Sequence, residues 1–253
     1  MLSALDTLGS LLWGTVLLRP YVFAFLAVFV AAGARDLGPA RMLGFLAWGF
    51  AVAFTAEYAS TRVGIPFGLY HYTGETRGAE LYLSNVPFFD SLSFPFLAYA
   101  AFCLARRVLG ERGGARAVVI LAGVLMMLLD VVIDPLAVRG DRWFLGRVFY
   151  YPAGGRYFGV PLSNFAGWLV VGWATVGGHV AAARGAPRAS KGARGSPAAG
   201  VGLYYAVLLF NLAVTLWIGE TALLVAGMLV HAAVFLLLYC VRAPGARPGW
   251  PRP

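Results

Sequence analysis

At 253 residues, with 60% hydrophobic and 12% charged side chains, the chain carries about half the charge of an average soluble domain. Together with a mean hydropathy of +0.75, this excludes the water-soluble globular class. The net charge of +9 is scattered over loops rather than gathered on one face, which argues against a nucleic-acid-binding surface and for a role in membrane topology.

A helix needs about 20 apolar residues to cross a ~30 Å hydrocarbon core. With Gly and Pro as punctuation, the sequence predicts seven such spans, at 14–34, 41–61, 86–109, 116–135, 161–183, 200–219 and 221–241. The first 18 residues hold one acid, Asp6, and no Lys or Arg before the apolar run, so no secretory signal is expected and the first helix is retained. Strands of a barrel would alternate in hydropathy, whereas 117–129 is apolar throughout. The expected fold is all-α, a polytopic transmembrane bundle of about seven helices forming one domain over 1–253.

If the spans alternate, thirteen of the twenty Lys and Arg residues fall on one side, including Arg106, Arg107, Arg112 and Arg116 after the third span. The positive-inside tendency then predicts an outside N-terminus, a cytoplasmic C-terminus and a multi-pass protein of the plasma membrane. Residues 184–199, rich in Gly, Ala, Ser, Pro and Arg, read as a flexible cytoplasmic linker. Cys103 and Cys240 lie near cytoplasmic ends, where thiols stay reduced; no disulfide is expected, and both read as small apolar fillers.

The acids are distributed unevenly. Glu57 ends the second span, Asp90 begins the third, Asp130 and Asp134 end the fourth, and Glu220 begins the seventh, all toward the non-cytoplasmic face. Ionisable groups at membrane depth are costly unless they face the bundle interior or water, so one polar pocket is predicted. The plainer alternative, that they mark helix ends, is strongest for Glu220. Asp130 and Asp134, four residues apart, share a helical face. Paired, partly buried carboxyls raise one another's proton affinity, and such a pair can donate a proton at neutral pH.

Two outer loops are unusually aromatic: 63–85, and 136–160 with Trp143, Phe144, Phe149, Tyr150, Tyr151, Tyr157 and Phe158. They read equally as an interfacial aromatic belt and as the cap of a ligand groove whose π-faces flank a developing cation. His71, between Tyr70 and Tyr72, reads first as structural and second as a catalytic hydrogen-bonding group; His179 and His231 read as packing residues. Three histidines far apart and no Cys/His zinc spacing argue against a metal centre, including a di-iron oxygenase. The sole lysine, Lys191, lies in the linker, which excludes a retinal Schiff base.

Four segments carry a family likeness. Glu57 with Gly64-Ile-Pro-Phe-Gly-Leu-Tyr-His-Tyr72, then Asn85-Val-Pro-Phe-Phe-Asp-Ser-Leu-Ser-Phe94, Asp130-Val-Val-Ile-Asp-Pro135 and Tyr157-Phe-Gly-Val-Pro-Leu-Ser-Asn-Phe-Ala-Gly-Trp168 resemble the membrane carotenoid biosynthesis proteins, and more narrowly the CruF-type carotenoid 1,2-hydratases. The resemblance covers about residues 21–241. It implies addition of water to the terminal 1,2 double bond of an acyclic C40 or C50 carotenoid, without metal or redox cofactor, by a protein of the lipid bilayer that works beside other carotenoid biosynthesis enzymes.

Residue chemistry supplies a matching mechanism. Protonating a trisubstituted alkene at its less substituted carbon leaves a tertiary cation, so the site needs an acid, a stabilising charge or ring, and a positioned water. The expectation is that Asp130 or Asp134 donates the proton while its neighbour, or Glu57, stays ionised; Asp90 is a further catalytic candidate in the same pocket. Asn164 and His71 hold the water, and Phe67, Tyr70, Tyr72, Trp143 and Trp168 shape the end-group pocket. End-group cyclisation starts from the same protonation and is the nearest rival. A small proton or ion transporter is opposed by the one-sided placement of the acids, and a passive carotenoid-binding scaffold is the remaining alternative.

Overall fold

The computed structural model describes residues 4–110, 114–185 and 196–242. Eight helices follow in chain order: α1 (Ala4–Leu18), α2 (Pro20–Asp36), α3 (Pro39–Val63), α4 (Phe88–Leu109), α5 (Ala115–Ala137), α6 (Leu162–Gly185), α7 (Ala198–Trp217) and α8 (Thr221–Arg242). Helices α3 to α8 are each long and apolar enough to cross a membrane. The chain is thus a polytopic helical membrane protein, as expected, because a helix satisfies its own backbone polar groups where lipid offers no partners.

The first predicted span, 14–34, is corrected. It breaks at Arg19 into α1 and α2, which meet at 94° and make a seventh crossing only if counted as one span. Pro20 provides the cause: it has no N–H to donate, and its ring drives the preceding residue out of helical conformation, so Arg19 sits at φ −125° and ψ 46°. Arg19 is nevertheless 1% exposed. Its guanidinium is bidentate on Glu80 at 2.9 and 3.1 Å and lies 4.3 Å from the centre of the Phe89 ring.

Helix α4 occupies the centre and packs on α2, α3, α5, α6, α7 and α8. Ala98, Ala100, Ala101 and Ala105 on it are fully buried, and small residues of this kind let neighbouring backbones approach. The same device joins α5 to α6. A Cβ on Gly172 would stand 2.9 Å from the Cα of Gly123. At the end where α2 finishes, buried Asp36 takes the Arg106 guanidinium at 2.5 and 3.1 Å, tying α2 to α4. Cys103 is free and buried there. The Cys240 side chain and residues 186–195 of the expected linker lie outside the described residues.

At the other end, the two aromatic loops close over the bundle as a cap. Strand β1 (His71–Tyr72) pairs antiparallel with β4 (Phe149–Tyr150), His71 opposite Tyr150 and Tyr72 opposite Phe149. Strands β2 (Tyr82–Leu83) and β3 (Val86–Pro87) form a small hairpin leading into α4. Gly64, at φ 75°, ends α3 in the left-handed conformation that glycine adopts without strain and turns the chain into the cap.

Candidate active site

Four helix termini deliver the polar groups under this cap. Glu57 comes from the end of α3, Asp90 from the first turn of α4, Asp130 and Asp134 from the end of α5, and Asn164 from the first turn of α6. Helix α5 runs two residues past Pro135, the predicted end, so both its aspartates remain within helix. Glu57, Asp130, Asp134 and Asn164 are all buried, Asp130 completely.

The groups form two linked sets. In the first, the Asn164 amide donates one hydrogen bond to Asp130 Oδ2 at 2.6 Å and one to Asp134 Oδ2 at 2.7 Å. An amide nitrogen carries two hydrogens, so this bridge uses its full donor capacity. In the second, the Ser91 hydroxyl donates to Glu57 Oε2, and the Tyr72 hydroxyl donates to Asp90 Oδ2 at 2.6 Å. The Tyr70 hydroxyl lies 3.3 Å from that of Tyr72. Burial raises the Tyr70 and Tyr72 hydroxyls well above the usual phenol range, so both stay protonated and available as donors.

Two cavities meet at these acids. The smaller, about 30 Å³, is walled by Glu57, Asp90, Asp134, Asn164 and Tyr70, with Phe67, Phe94, Phe149, Tyr151 and Trp168 around them. That is room for water, with several polar partners to hold it. The larger, about 100 Å³, is mostly apolar, lined by residues such as Tyr21, Phe25, Phe96, Trp143, Ile133 and Phe210. Asp90, Asp134, Phe149 and Trp168 line both cavities and form the partition between them. Asp130 lines neither, and its Oδ1 is buried without a hydrogen-bond partner.

The predicted residues separate accordingly. Glu57, Asp90, Asp130, Asp134, Asn164, Phe67, Tyr70, Tyr72, Trp143 and Trp168 are brought together; Trp168 stacks on Phe94 with ring centres 4.4 Å apart, and Trp143 donates its indole N–H to Leu136 O. His71 is not. Neighbours on a strand point to opposite faces, so with Tyr72 turned inward His71 is exposed and its ring lies by Tyr150. Glu220 also stays apart, paired with Arg139 and Arg142. Phe149 and Tyr151, read above only as members of an aromatic belt or groove cap, line the smaller cavity, and Ser91, which carries no role in the sequence reading, is the donor to Glu57. Tyr21, Phe25 and Phe210 come from apolar runs with no distinguishing signal. Asn211, buried in α7 and lining the larger cavity, is a polar residue at membrane depth, a signal that does point to function. Among the described residues, no three His, Cys, Asp or Glu side chains are grouped to hold a metal ion.

Comparison with known proteins agrees with the likeness read from the segments. Over 121 residues the chain is 34% identical to the bisanhydrobacterioruberin hydratase of Haloarcula japonica, an alignment covering 47% of this chain and 38% of that protein. The match therefore spans well under half the length of the relative. No solved structure matches. The family model described as carotenoid biosynthesis protein matches residues 15–234, which takes in every residue of the two cavities and the cap, and the chain belongs to that family.

Proposed function

We propose that this protein hydrates the terminal 1,2 double bond of an acyclic carotenoid end group to a tertiary alcohol. The observation that carries this is the partition: Asp134 and Asp90 face a water-sized polar cavity on one side and an apolar cavity on the other. An alkene tip in the larger cavity and a water in the smaller would meet across these carboxyls. The hydratase name of the Haloarcula japonica relative supports the same chemistry.

In this mechanism the Asp134 carboxyl gives its proton to the less substituted alkene carbon, and the positive charge develops on the tertiary carbon beside the rings of Trp168 and Phe149. Water in the small cavity attacks that carbon and loses a proton to Glu57 or Asp90. The proton taken up equals the proton given, and Glu57, Asp90 and Asp134 line the same small cavity, so a water there can carry the proton back to Asp134 and restore the site with no net acid consumed. Asp130 acts through its neighbour. A bare anionic oxygen in a dry interior is expensive, so Asp130 Oδ1 is better accounted for by a carboxyl dyad that holds a proton, with Asn164 fixing its geometry. The long polyene lies in the bilayer, and the plasma membrane with the cap outside is the proposed setting.

Mass spectrometry of pigments from lycopene-making cells, with and without this protein, tests the proposal. A gain of one water per modified end is expected. Unchanged mass with altered absorption would replace hydration by cyclisation, and unchanged pigment with both lycopene and a C50 acyclic carotenoid would overturn an enzymatic role on acyclic ends.

A further inference from the structure

The larger cavity is about 100 Å³, far too small for a whole C40 chain, so most of the polyene has to lie outside it and leave the bundle between two helices. The walls differ in what closes them. Away from the cavity lining, the α5–α6 seam is shut where glycine backbones come into near contact at Gly123 and Gly172, and nothing as wide as a conjugated chain passes there without separating the helices. Between α2 and α7, the closure is made by rings. Tyr21 stacks on Phe210 with centres 5.1 Å apart and an interplanar angle of 19°, and Phe25 meets Phe210 edge-on at 5.7 Å.

These three rings line the cavity and are partly exposed. The ring cluster continues outward. Phe144 packs edge-on against Tyr21 at 5.6 Å and reaches Trp217 at 6.2 Å. Phe144 is 52% and Trp217 66% exposed, so a track of rings runs from the protein surface to the cavity that Asp90 and Asp134 also line. The right-angle break at Arg19 turns α1 away just before Tyr21, and the buried Arg19–Glu80 pair fixes that break.

We propose that the seam between α2 and α7 is the lateral port through which the substrate polyene enters and in which it then lies, with Phe210 as the gate. The inference rests on the carotenoid reading above and adds where the chain of the substrate goes. The chemistry matches: a flat conjugated hydrocarbon finds ring faces along the track, and rings that slide apart leave no backbone polar group unsatisfied in lipid.

The test uses the full-length protein in nanodiscs with lycopene as the probe. Pigment retained beyond that of protein-free nanodiscs is read by visible absorption and hydration kinetics by chromatography, for wild type, Phe210→Ala, Phe210→Tyr and Trp48→Ala. Trp48 sits on the α3–α6 side, with its indole N–H on Ala174 O, and reports general damage to the bundle. Phe210→Ala is expected to retain about 3- to 10-fold less lycopene and to raise KM by a similar factor, the size of one lost aromatic pair, with a smaller change in kcat. Phe210→Tyr keeps the ring and should recover the retention that Phe210→Ala loses, whereas Trp48→Ala, at a residue that lines neither cavity, should stay within about twofold of wild type. Equal retention by Phe210→Ala and wild type, equal loss in Phe210→Ala and Trp48→Ala, or no lycopene retained by wild type would overturn the port. Binding is read without turnover, so pigment held at the seam with no water added would sink the hydratase reading alone, whereas hydration insensitive to Phe210 would sink the port alone.

Discussion

At the end of the bundle away from the cap, the buried Asp36 carboxylate receives two hydrogen bonds from the Arg106 guanidinium. At the capped end, Glu57, Asp90, Asp130 and Asp134 sit together, and among the described residues none of them is in an ion pair. The nearby guanidinium, that of Arg19, is already taken by Glu80. Both ends bury carboxyl groups, yet one neutralises charge with an opposite charge and the other with hydroxyls, an amide and neighbouring acids. An ion pair holds two helices together and has no proton to spare. A cluster of acids without cations has protons to move, which is the condition a proton-donating site requires.

That contrast is open to direct attack. The largest effect is expected from Asp134→Asn, which keeps shape and removes the acid: hydration should fall by about 10²- to 10⁴-fold, the usual worth of a positioned general acid, while folded protein in the membrane is unchanged. Pigment turnover set against protein recovered in detergent checks both parts. Arg106→Ala should do the reverse. It strands Asp36 in the interior at a cost of about 3 kcal/mol, lowering thermal stability, with activity per folded molecule largely kept. If Arg106→Ala instead abolished turnover in well-folded protein, the division between a structural and a reactive end would be wrong.

A smaller effect sharpens the reactive end itself. Tyr72→Phe removes the donor to Asp90, a hydrogen bond to a charged acceptor worth about 1.5 kcal/mol, so turnover should drop about tenfold, measured as single-turnover hydration. The smallest is His71→Ala. Its ring is outside the cavities, and turnover should stay within about twofold, the range of ordinary surface substitutions; a loss as large as that of Tyr72→Phe would bring His71 back into the chemistry.

Much of this end was visible in the residues. The four-residue spacing of Asp130 and Asp134 puts both on one face whatever surrounds them, and the position of Glu57, Asp90 and Asn164 near ends of apolar runs places them at one level of the membrane. His71 and Tyr72 show where such reasoning stops. Adjacent strand residues face opposite ways, but which of the two faces inward depends on pairing with Phe149 and Tyr150, more than 70 residues later. Arg19 shows a different limit. Pro20 follows it directly, yet the apolar run reads on through both, because hydropathy does not register a buried arginine whose partner, Glu80, is supplied by a distant loop.

Composition and the length of the apolar runs by themselves determined a helical membrane protein with its acids at one end, since lipid leaves the backbone few choices and charge at depth fewer still. The family likeness was legible in four short segments for the same reason, as they hold those costly residues. Only the tertiary structure decided that Asp134 stands on the partition and Asp130 behind it, that His71 faces out, and that rings close the wall between α2 and α7. Those outcomes turn on which side chains meet across helices far apart in sequence, and packing settles that among residues whose local preferences are alike.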